Sequence, residues 1–137
     1  MKKLIFLCLI SVFIVSCSLK GDDSPNISYE FVPIDSVTVP DSFMLNETYQ
    51  ISVTYYRPTT CHSFNDFYYH KYDNERIVAV INTVVEGTSC EALENDLVEV
   101  SFNFVCTQSG SYIFKFWQGF DDNQNDLYYT VEVPVVE

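Results

Sequence analysis

The chain has 137 residues with 7 basic and 19 acidic side chains, a formal net charge of −12, and 47% hydrophobic residues. That balance repels phosphate backbones and excludes nucleic acid as a partner by simple electrostatics. The length allows one domain with a real core.

Residues 1–16 come first and divide cleanly. Lys2 and Lys3 form a positive start, and Leu4 to Val15 is an apolar run broken only by Ser11. That run is short of the roughly 20 apolar residues a spanning helix needs, and has the length of a signal-peptide core. It ends in Ile14-Val15-Ser16-Cys17. These four residues resemble the lipobox of bacterial lipoproteins, in which the peptide is cut before the cysteine and the cysteine is acylated. The resemblance implies cleavage between Ser16 and Cys17 and a lipid on Cys17. Several acyl chains, at about 0.8 kcal/mol per buried CH₂, hold a protein to a membrane where one comes and goes. Removing Lys2 and Lys3 leaves five basic residues against nineteen acidic ones, and 5 − 19 = −14 for the remaining chain.

Residues 17–26 then read as the lipidated cysteine and a tether, since "SLKGDDSPN" is polar and lacks an apolar period. Its Lys20-Gly21-Asp22-Asp23 is similar to the surface-export signals of Bacteroidota lipoproteins. The implied location is the outer membrane, lipid-anchored, with exposure at the cell surface.

From Ile27 to the end, residues 27–137, the apolar period is two. Strands are expected at 28–34, 37–40, 47–57, 64–72 and 76–85. Residues 98–117 are expected as a β-hairpin around "QSG", with Val98, Val100, Phe102, Phe104 and Cys106 sharing one face. Tyr112, Phe114 and Phe116 continue the core face, leaving Trp117 out of phase, and a second hairpin leads into "LYYTVEVPVV". "CEALEND" (90–96) offers one helical turn. About seven short strands point to an all-β, antiparallel sandwich, with a small barrel as the alternative. The two closing strands resemble those of bacterial Ig-like modules.

With Cys8 in the leader and Cys17 as anchor, Cys61, Cys90 and Cys106 remain. Cys61 and Cys90 fall in loops and are the expected disulfide, Cys90–Cys106 being the rival. Cys106 on an inward face behaves as a small hydrophobe.

Chemistry-bearing stretches are few. In "GFDDNQNDLYY", Asp121, Asn123, Asn125 and Asp126 supply oxygen ligands of the kind Ca²⁺ prefers, and the loop resembles the front of an EF-hand or dockerin loop. It lacks that loop's glycine and its final glutamate, so a plain polar turn competes and no cofactor is expected. His62 and His70 fit no zinc spacing. No nucleophile, phosphate-loop or metalloprotease motif is present in the sequence, which reads as non-enzymatic.

Aromatic residues offer a binding surface instead. Trp117, Tyr68 and Tyr69 are the candidates for stacking on a sugar or anchoring a protein. Pro58-Thr59-Thr60, within residues 57–62, is similar to the loop of chagasin-like cysteine-protease inhibitors. The expected function is a lipid-anchored binding or structural module of the cell envelope with a protein or glycan partner. The alternatives are a protease inhibitor and a carbohydrate-binding module.

Overall fold

A computed structural model describes Gly21 and residues 24–137 other than Thr88. Ser16 and Cys17, with the leader and the lipobox, lie outside the described residues. The described residues form nine strands: β1 (Asn26–Val32), β2 (Ile34–Thr38), β3 (Phe43–Met44), β4 (Thr48–Tyr56), β5 (His62–Tyr72), β6 (Glu75–Glu86), β7 (Leu97–Val105), β8 (Ser111–Phe120) and β9 (Asp126–Val136). They make two sheets. The larger holds β1, β3, β5, β6, β8 and β9, and the smaller runs β2-β4-β7. The architecture is therefore a β-sandwich, with two more strands than the seven counted from the sequence.

The period of two places the core. Ile51, Val53 and Tyr55 of β4 and Phe104 of β7 face Val78 and Val80 of β6 and Tyr112, Phe114 and Phe116 of β8, all buried. Phe43, from the two-residue β3, is fully enclosed among Tyr49, Phe104, Tyr112 and Phe114. Residues between these point outward, as the pleat requires.

One pairing differs from expectation. Residues 98–117 do not form a hairpin: β7 pairs with β4 in the smaller sheet, whereas β8 pairs with β6 and β9 in the larger. Gly110, at φ 100°, turns the chain across the core instead of back along itself. The predicted β8–β9 hairpin is present, with Phe114 opposite Val131. Two pairings are parallel, β3 with β9 and β6 with β8. The 90–96 segment has no helical turn. Its Ala92 bridges Thr59, and the Leu93 N–H donates to the Pro58 carbonyl, so it runs as an extended cover on the 57–62 loop.

Strand β6 organises the larger sheet. One edge pairs with β5 along nearly its whole length. The other edge is shared end to end: β1 takes Val80 to Glu86 and β8 takes Glu75 to Val78. Ala79 lies at the seam. Beyond it Pro33 ends β1, and the chain crosses to the smaller sheet as β2.

The cysteines resolve as Cys61–Cys90, bonded with a Cα–Cα separation of 5.4 Å, and a free, fully buried Cys106.

Candidate functional site

The outer face of the larger sheet carries an aromatic groove directly over the seam. Registers place Phe31 of β1 opposite Ile81, Tyr68 of β5 opposite Ala79, and Trp117 of β8 opposite Tyr128 of β9. All these side chains project from the face away from the core. Ala79 is the small floor that lets the rings approach. Phe31 meets Tyr68 edge-on at 5.7 Å and Trp117 at 5.8 Å between ring centres.

A bulge supplies the next wall. Between Trp117 and Phe120 the β8–β9 register slips by one residue, so Phe120 pairs with Asp126 and falls on the same face as Trp117. Gly119 makes this possible. Its φ of 95° suits glycine, and an added Cβ would lie 3.4 Å from the Pro33 ring. Phe120 then stands edge-on to Trp117 at 5.3 Å and is 57% exposed.

The resulting groove has a volume of about 450 Å³, and Asp126 and Tyr128 complete its lining. That size lies in the range of small-molecule sites. Asp126 Oδ1 accepts the Trp117 indole N–H at 2.9 Å, which fixes the tryptophan as a wall. Burial, and then the neighbouring Asp126 carboxylate, push the Tyr128 hydroxyl above its ordinary pKa, so it stays a neutral donor.

Of the aromatic residues singled out from sequence, Trp117 and Tyr68 meet here. Tyr69 does not. It points between the sheets, edge-on to Phe102 at 5.7 Å. Phe31, Phe120 and Tyr128 were not anticipated. Phe31 preceding the buried Val32 was a usable signal, because alternation puts it outward; the bulge that turns Phe120 was not.

Of the calcium candidates, the Asp121 and Asp126 carboxylates accept hydrogen bonds within the protein. Asp121 Oδ1 accepts the N–H groups of Asn123 and Asn125 at 2.8 and 2.9 Å, and the Asn125 amide donates to Oδ2 at 3.2 Å. Those bonds, led by the Asn125 backbone, hold the Asp121 carboxyl below its usual range. Asp126 is turned to Trp117 instead of toward Asp121. Among the described residues no group of three or more His, Cys, Asp or Glu side chains gathers as a metal site.

The 57–62 loop is tied down. Thr59 Oγ1 accepts the Cys61 N–H and bonds His62 Nδ1 at 2.7 Å, and Thr60 Oγ1 accepts the Glu91 N–H. Arg57 Nε donates to Asp96 Oδ2 at 2.6 Å. His62 is buried, with Nε2 on Glu30 at 2.9 Å, while His70 stacks on Tyr68.

No protein-family model, curated protein or solved structure matches this chain.

Proposed function

We propose that the protein is a lipid-anchored lipoprotein of the cell envelope whose sandwich is a non-enzymatic binding module, and that the aromatic groove takes a neutral sugar. The anchor reading is supported by the sequence of residues 1–17 alone. The sugar reading is carried by one observation: five aromatic side chains line one groove, beside an aspartate and two tyrosine hydroxyls. A sugar ring has apolar C–H faces and a polar perimeter, and such a wall-and-rim arrangement meets both. A neutral ligand also escapes the repulsion that a −14 surface exerts on anions.

The test is titration of neutral oligosaccharides into the purified domain, followed by calorimetry. Tyr68→Ala and Phe120→Ala remove half-exposed walls and leave the core intact, so the melting temperature stays and binding is lost. Variants that bind as well as the parent would remove the groove from consideration. The anchor has its own test. Detergent, not high salt, extracts the full chain from membranes, and Cys17→Ser releases it to the soluble fraction; a Cys17→Ser protein that stays membrane-bound refutes the lipid.

A further inference from the structure

A second cleft opens on another side of the molecule, between the free edges of β5 and β7. It has a volume of about 410 Å³ and is walled by Phe67, Tyr69 and Phe102, with Lys71, Asp66 and Arg76 as its charged groups. Arg76 is the unusual member. It is only 5% exposed, yet none of the ion pairs among the described residues includes it. The adjacent Glu75 projects from the opposite face of β6 and pairs with Lys115.

Arg76 is partly compensated. Nη1 donates to the carbonyls of Asp73 and Glu75 at 2.8 and 2.7 Å, and the guanidinium carbon lies 5.0 Å from the centre of the Tyr112 ring. The Nε–H has no partner among the described residues. Arginine cannot shed its charge, so a buried guanidinium short of acceptors is costly.

Its cross-strand neighbour deepens the cost. Lys71 of β5 is the direct partner of Arg76 in the register, on the same face. Like charges in that position are destabilising. Lys71 leans over the Tyr69 ring at 5.9 Å and enters no ion pair among the described residues. Asp66, at the other end of the cleft, accepts the Phe67 backbone N–H at 2.8 Å. Asp66 is the cleft's one carboxylate and is turned to its own backbone, so two facing cations that enter no ion pair among the described residues mark a place kept for an anion from outside.

From this geometry we infer that the β5–β7 cleft binds a small organic carboxylate, with Arg76 as its anchoring donor and Lys71 at the mouth. A carboxylate matches the planar guanidinium edge, and the aromatic walls take an apolar or ring-shaped body. The site is separate from the sugar groove, which lies on the outer face of the larger sheet, so either assignment can fail alone.

The experiment uses 3-phenylpropionate, its neutral amide and inorganic phosphate as probes, added to the ¹⁵N-labelled domain. The carboxylate shifts the Arg76 Nε–H resonance and binds saturably; the amide does neither. Lys71→Gln, an exposed change that leaves the fold intact, weakens the carboxylate at least about threefold, and Arg76→Lys weakens it about tenfold or more. Equal binding of acid and amide overturns the proposal, as does an unmoved Arg76 resonance with every probe. Phosphate binding at Arg76 in preference to the carboxylate overturns the ligand class.

Discussion

Replacing both Cys61 and Cys90 by alanine tests how the loop end of the sandwich is held. The cysteines are 29 residues apart in sequence. For a closed loop of that length the chain-entropy relation gives about 12 cal/mol/K, or about 3.6 kcal/mol at 25 °C. Little native structure need be lost. The Thr60 N–H still reaches the Glu91 carbonyl at 3.0 Å and the Leu93 N–H the Pro58 carbonyl at 2.9 Å. The stabilisation therefore acts on the unfolded chain. At about 2.1 cal/mol/K per residue, a domain of roughly 110 residues has an unfolding entropy near 230 cal/mol/K, so the melting temperature falls by about 15 °C. Thermal unfolding followed by circular dichroism reads this directly, and the reduced parent should match the double variant. A fall of less than about 4 °C, equivalent to under about 1 kcal/mol, would refute the entropic account.

Cys106 is fully buried, so its thiol reacts with an aromatic disulfide reagent only as fast as the fold opens; rapid reaction under native conditions contradicts the packing. Tyr55→Phe removes a buried hydroxyl that lies beside the Asn82 amide but meets it in no hydrogen bond of normal geometry. Its stability is unchanged or raised by up to about 1 kcal/mol, and a loss beyond that shows the hydroxyl to be bonded. Asp121 has a folded pKa below its unfolded one, so its contribution is present above the unfolded value and lost as pH falls through the folded value. Its carboxyl carbon titrates below the ordinary carboxylate range by NMR; titration at or above that range removes the turn reading. Because that carboxylate and Asp126 are already bonded within the protein, added calcium leaves the melting temperature unchanged, and a clear rise with calcium contradicts this.

The fold was legible where one face of a strand is apolar. Alternation in 98–106 and 111–117 correctly placed Phe104, Cys106, Tyr112, Phe114 and Phe116 inward, because burial follows the pleat whatever the partner strand. Which strand pairs with which was not legible from the same residues. "QSG" signals a reversal, and a reversal serves equally for a hairpin and for a crossing between sheets. The loop cysteines were readable because only two of the three could leave the core. At the groove, Trp117 announced itself by falling out of phase. Phe120 could not, since its direction depends on a one-residue slip beside Gly119 that no local pattern encodes. Arg76 was equally silent. An arginine at the start of a strand looks like any solvated charge until its neighbours are known.

The sharing of one β6 edge by β1 and β8 has a mechanical consequence. Among the described residues β1 is the first strand, so a pull applied to the chain just before it enters the sandwich at Asn26. A ligand held by Tyr68, Trp117 and Phe120 pulls on β5 and β8, both of which pair with β6. Load between β6 and Asn26 crosses the β1–β6 ladder, and the pairs from Asn26↔Glu86 to Val32↔Val80 resist it together as a shear joint. They are not peeled apart one at a time. With the N-terminal lipid anchor proposed above, a force passed from ligand to membrane is carried by the β1–β6 ladder and bypasses the core.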